Sequence, residues 1–296
     1  MRNDYGFDNK HERKRDNELE AMSAENPFRQ EYTEETEHDY FDCFINENIK
    51  EFLSKKDSSD YIIDDSQEAN ELRNMGINFV DIKEVDVNNK KEIVSAVDDM
   101  FRAHPELRGQ LTAIICQDMG RATYAGYGPL KPDERFGGVL VLNSKKFSDP
   151  KLRDELMKAG ANGWWMPDAS PASIISHELG HGMHLELCAL DCGVKNGIQA
   201  ERNDYKKVLR QYKRDLHASE IVEQACADCG IKFDSWDCAR ALSSYGTSSY
   251  GEALAEAVAE VRNSEEPRPL ATAIYSRLEQ YKEKMKGGKQ NDDSYS

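Results

Sequence analysis

The stretch Ser170-Pro171-Ala172-Ser173-Ile174-Ile175-Ser176-His177-Glu178-Leu179-Gly180-His181 decides how this chain is to be read. Ser170 offers a hydroxyl to the free amides of a helix start, and Pro171 takes the first helical position, where a missing N–H costs nothing. The spacing therefore predicts a helix already under way at His177. At about 3.6 residues per turn, His177 and His181 stand about 40° apart around the axis, so both imidazoles project from one face. Imidazoles placed this way can share one tetrahedral ion, and zinc is the expected one. Glu178, beside the first histidine, brings a carboxylate next to the open coordination position, where it can take a proton from water as general base.

A catalytic zinc normally takes a third protein ligand. A third histidine ten residues after the first is excluded, because that position is Leu187. Glu201 follows His181 by twenty residues, the spacing of thermolysin-like enzymes, but it lies beyond the helix-breaking run Gly193-Val194-Lys195-Asn196-Gly197. His184 extends the stripe of His177 and His181 and is expected to contact a ligand or pack in the core rather than to bind metal.

A second segment sharpens the reading: Ser243-Ser244-Tyr245-Gly246-Thr247-Ser248-Ser249-Tyr250-Gly251-Glu252-Ala253-Leu254-Ala255-Glu256-Ala257. A Ser-Tyr pair, a short polar loop and a Glu-x-x-Ala-Glu-Ala helix start resemble the zincin-like peptidase domain of the anthrax lethal factor and of metallopeptidases associated with phage minor head proteins. A strand ending in Leu142-Asn143 and the aromatic-Pro element Trp164-Trp165-Met166-Pro167 ahead of the histidine helix strengthen the likeness. It covers residues 70–285, most firmly 137–183 and 243–258. The resemblance implies a zinc-dependent endopeptidase with Glu252 as third ligand and Tyr245 as the hydroxyl that stabilises the oxyanion. It also implies that Glu256 is a carboxylate orienting a ligand histidine. A protein or peptide substrate follows, a phage structural protein or a host protein in a phage or prophage setting. The competing expectation is a virion or mobile-element structural protein whose zinc only holds the fold.

The remaining sequence sets limits. The formal charge is −16, and residues 1–65 alone hold 9 Lys or Arg against 19 Asp or Glu. These residues are expected to form an acidic, disordered leader ahead of a catalytic domain over 66–286, with a polar tail over 287–296. Nucleic acid is not an expected partner, since its binding requires clustered cations. No apolar leader or membrane-length run is present, so the expected location is cytoplasmic or virion-associated. The oligomeric state is not legible. Seven cysteines, an odd number, fit reduced thiols better than a disulfide framework. Cys188 and Cys192, with Cys226 and Cys229, are read as buried thiols or, alternatively, as a structural zinc site.

The fold class expected is α+β, with a small N-terminal sheet and a mostly helical C-terminal half. Helices are expected over 67–75 and 90–104, and strands over 77–82, 111–116 and 137–143, with a long loop over 120–136. From 149 onward the pattern is helical, broken at Gly160 to Gly163, Gly193 to Gly197, Gly230 and Pro267 to Pro269. The strand Gly138 to Asn143 is considered as an edge that would pair with an extended substrate, or else as a core strand. Trp164 and Trp165 are read as cleft walls or as simple packing.

Overall fold

The computed structural model describes residues 64–120, 123–129, 137–195 and 202–290. Most of the acidic leader, Glu201 and the last residues of the tail lie outside the described residues. The leader's end does not: Asp64 is buried, accepts from the Ser66 and Ile82 amides at 2.9 and 3.2 Å, and pairs with Lys90 at 3.7 Å. The folded domain thus includes Asp64, two residues ahead of the boundary that charge alone suggested.

The architecture is α+β, with four strands early and helices dominating the second half. Helix α1 (Gln67–Asn74) is capped by Ser66 and ends at Gly76, whose φ of 102° suits a residue without Cβ. Strand β1 (Phe79–Asp81) leads to α2 (Val87–Ala103), which Asp86 caps, so this helix starts three residues before the expected start at Lys90. The short α3 (Leu107–Gln110) precedes β2 (Leu111–Gln117), and β3 (Ala125–Pro129) precedes β4 (Gly138–Asn143). The sheet order is β1-β2-β4-β3, with β1, β2 and β4 parallel and β3 antiparallel to β4.

Two expectations are corrected here. The segment 120–136 is not all loop, because Ala125-Gly126-Tyr127-Gly128-Pro129 forms β3. In addition, β4 is no edge: it lies between β2 and β3 and is buried at every position. Among the described residues the edge strand on this side is β3, where the terminal Pro129 is tolerated because an edge strand need not donate on both sides.

Behind the sheet come α4 (Ser144–Phe147), α5 (Leu152–Ala161) and the central α6 (Pro171–Cys192). Then follow α7 (Arg202–Lys213), α8 (Leu216–Asp228), α9 (Trp236–Ala241), α10 (Tyr250–Asn263) and α11 (Pro269–Gln290). The last helix runs through Gly287 and Gly288 to Gln290, four residues into the expected tail. Ser170 and Ser173 form a reciprocal capping box at the start of α6, with Pro171 in the first turn, and Gly193 ends the helix at a φ of 73°. Among the described residues, no helix is long and apolar enough to cross a membrane.

The helices α6 and α10 form the centre of the domain. From Gly251 to Glu260, α10 is buried on every face except at Glu252, and α6 is buried almost all round. Helices buried this way must approach closely, and small residues permit it: a Cβ added at Gly180 would come 2.8 Å from the Ala255 Cα. That obstacle is backbone, which cannot move aside cheaply. Gly180→Ala should therefore destabilise by about 1–3 kcal/mol from overpacking, against the roughly 1 kcal/mol that alanine's helix propensity offers at an open site. A denaturation midpoint equal to or above that of the parent protein would refute the close-approach reading.

Candidate metal centre

The contact at Gly180 places the second helix of the site against the first. His177 and His181 project from α6, and Glu252 projects from the first turn of α10, where its own N–H donates to the capping Ser249 Oγ at 3.2 Å. Among the described residues, His177, His181 and Glu252 make the one group of three whose ligand atoms all lie within 4.8 Å of one another. His177 Nε2 stands 3.0 Å from Glu252 Oε2 and 3.2 Å from His181 Nε2, and the third side of the triangle, His181 Nε2 to Glu252 Oε2, is 3.5 Å. A tetrahedral zinc with bonds of about 2.0–2.1 Å spaces its ligand atoms by about 3.3–3.4 Å. The triangle therefore has the size of one face of such a tetrahedron.

The charges around this triangle are strongly coupled. Burial alone would push the His177 pKa down, but Glu252, Glu256 and Glu178 outweigh it and hold His177 up at about 10. Glu252 is shifted the opposite way: burial raises it, and the larger combined pull of His181 and His177 carries it below the usual carboxylate range. Glu256 is fully buried on α10, with an oxygen 3.5 Å from His177 Nδ1, long for a hydrogen bond, and neither of its oxygens has another partner. This contact favours a proton on Nδ1 and leaves Nε2 to face Glu252 and His181.

A pH dependence follows. In the metal-free protein His177 holds a proton to about 10, and a cation binding at Nε2 must displace it. Zinc affinity should therefore rise with pH across 6 to 8, with proton release visible as a buffer-dependent heat in calorimetry. Affinity that stayed flat with pH would contradict the ligand assignment. The stability of the metal-free protein carries the complementary sign. The raised pKa of His177 contributes stability that is complete below about 6.5 and is lost as pH rises through about 10. The lowered pKa of Glu252 contributes stability present above about 4.5 and lost on acidification.

Glu178, 7% exposed, follows His177 directly on α6, near enough for the charges of both histidines to act on it. Burial raises its pKa, the two histidines pull it down, Glu252 pushes it up, and the Tyr127 backbone amide of β3 bonds to its charged form. A carboxylate raised in this way has greater proton affinity than an exposed one. Tyr245, in the loop between α9 and α10, packs its ring 5.7 Å from that of His177. Its N–H donates to the Trp164 carbonyl at 3.1 Å, and the Ser244 N–H donates to that of Gly163 at 3.0 Å, so the loop after α5 and the loop before α10 are tied together. Burial and the charges of Glu252 and Glu178 raise the Tyr245 pKa well above the ordinary phenol value, which keeps its hydroxyl a proton donor. Trp165 packs against both the His177 and Tyr245 rings, at 5.0 and 4.8 Å, so it walls the site as well as packing.

His184 lies a turn beyond His181 but outside the triangle. It packs against Tyr212 at 4.9 Å, its Nε2 is buried without a hydrogen bond, and burial with His181 nearby lowers it to about 3. No cysteine joins a ligand group among the described residues, and none there is in a disulfide. The Cys226 and Cys238 thiols hydrogen-bond each other. Three groups near the centre had no signal in the sequence. Tyr127 comes from a strand read as loop. Tyr212 lies close enough to Glu252 and Glu178 for their charges to act on it. Asp215 bonds to Gly251 at the start of α10. No family model matches the chain, and no curated protein or solved structure matches it significantly.

Proposed function

We propose that this protein is a zinc-dependent endopeptidase with a zincin-like fold, in which His177, His181 and Glu252 hold one zinc ion. The observation that carries this reading is the convergence of Glu252 on the histidine pair at tetrahedral spacing, with Glu178 alongside. Three protein ligands leave a fourth position free, the arrangement of catalytic rather than structural zinc sites. The ligands are also not sealed off: the His181 and Glu252 side chains are 14% and 23% exposed.

Held by His177, His181 and Glu252, zinc would supply Lewis acidity toward a water and a substrate carbonyl. Glu178 accepts the proton of the attacking water and later returns it to the leaving amine. Tyr245 donates its hydroxyl to the oxyanion. Glu256 holds His177 through Nδ1. The substrate is a protein or peptide chain, and β3, the edge strand that lies beside Glu178, is where its backbone would pair. The likeness to the lethal factor and phage head-associated peptidases supports this assignment through Tyr245, Glu252 and Glu256, and leaves the choice between phage and host substrates open.

A structural zinc protein would bind the same ion, so metal content cannot separate the two readings. Cleavage of a peptide library can: activity lost with a chelator, restored by zinc and absent from the Glu178→Gln protein supports the peptidase. Zinc-loaded protein that cleaves nothing would leave the structural role.

A further inference from the structure

Asp215 opens α8 but does not serve that helix. Aspartate is among the best capping residues, yet its side chain makes no capping bond there, and its backbone takes a left-handed φ of 49°. The chain holds it in place on both sides, its N–H donating to the Tyr212 carbonyl at 3.0 Å and its carbonyl accepting from Ser219 at 2.7 Å. The carboxylate is turned toward α10 instead. A Cβ built on Gly251 would fall 2.7 Å from Asp215 Oδ1 and 3.5 Å from its Cγ, so position 251 has no room for a side chain while Asp215 stays where it is. Asp215 accepts from the Gly251 N–H and from the Ser249 hydroxyl. Ser249 Oγ in turn accepts from the Glu252 N–H at 3.2 Å. A hydrogen-bonded relay thus runs from the backbone of Glu252 through Ser249 to Asp215, and the carboxylate sits at a helix start, where the first-turn Gly251 amide has no acceptor within the helix.

We infer that Asp215 is a positioning residue of the metal centre, fixing the first turn of α10 so that Glu252 meets His177 and His181 at ligand spacing. The inference rests on the metal assignment above and adds a residue that touches neither the ion nor substrate. Burial raises the Asp215 pKa, and the Gly251 N–H, His181 and the Ser249 hydroxyl act against that rise.

The test uses the full chain with zinc and cobalt ions. Zinc affinity is read by competition with a chromophoric chelator, and coordination geometry by the visible absorption of the cobalt-loaded protein. Asp215→Asn keeps the shape and removes the charge. It should weaken zinc binding about 10–100-fold, the range seen when groups that orient ligands are removed, and it should change the cobalt spectrum. Gly251→Ala should move in the same direction by displacing Asp215, although alanine is the better helix former. In the double variant the losses should not add, because both break one contact. Wild-type affinity and an unchanged cobalt spectrum in Asp215→Asn would overturn the inference. So would a lower melting temperature of the metal-free protein as the sole effect, or failure of both variants to fold, since either makes Asp215 merely structural. If the parent chain itself binds no zinc, the metal assignment fails instead.

Discussion

Glu178→Gln should leave zinc bound and lower kcat/KM for peptide cleavage by about 10²–10⁴-fold, the span attributed to a positioned general base. Glutamine matches glutamate in shape, so the packing around position 178, only 7% exposed, is kept. What disappears is the proton acceptor. The environment of Glu178 supports that role, because burial and Glu252 raise its pKa while the histidines and the Tyr127 amide stabilise the charged form. The net shift is upward, which gives this carboxylate a greater affinity for the proton it takes than an exposed one would have. Two measurements are needed, bound zinc and cleavage rate. A glutamine variant that retained both would show that another group takes the proton; Tyr212, which burial and the charges of Glu252 and Glu178 keep protonated, could not be that group.

Different parts of this centre became legible by different routes. Periodicity alone placed His177, Glu178 and His181, because a helix maps four residues of sequence onto one face. The same rule yielded α2, and apolar runs yielded β2 and β4, whose residues are buried for reasons their own side chains declare. Glu252 has no such local signature: an acidic residue in the first turn of a helix is favoured by the dipole whatever it does. Its position was suggested by likeness, and the 3.0 Å approach to His177 agrees with that. β3 stayed hidden because Gly126, Gly128 and Pro129 disfavour strands, and pairing with β4 overrides that preference. The edge-strand role first considered for Gly138 to Asn143 failed for a related reason, since burial on both faces reads the same whether or not a neighbour lies on each side. Tyr127, Tyr212 and Asp215 matter through contacts with residues distant in sequence, which neither spacing nor composition encodes.

Glu252→Ala should weaken zinc binding by more than the 10–100-fold typical of groups that only orient a ligand, because it removes a ligand atom itself. The loss should extend to the proton chemistry of the site. Glu252 is the strongest influence raising the His177 pKa against burial, so without it His177 should give up its proton at lower pH, and proton release on any residual zinc binding should shrink. These two effects distinguish a lost ligand from a damaged fold, which would weaken binding without that change in linkage. Glu201→Ala is the counterpart, since Glu201 has the thermolysin-like spacing from His181. It should bind zinc as the parent does. Should Glu201→Ala lose zinc and Glu252→Ala keep it, the third ligand would move to the segment after α6. The close approach of Glu252 to His177 would then be an ion pair of the metal-free protein and not a metal site.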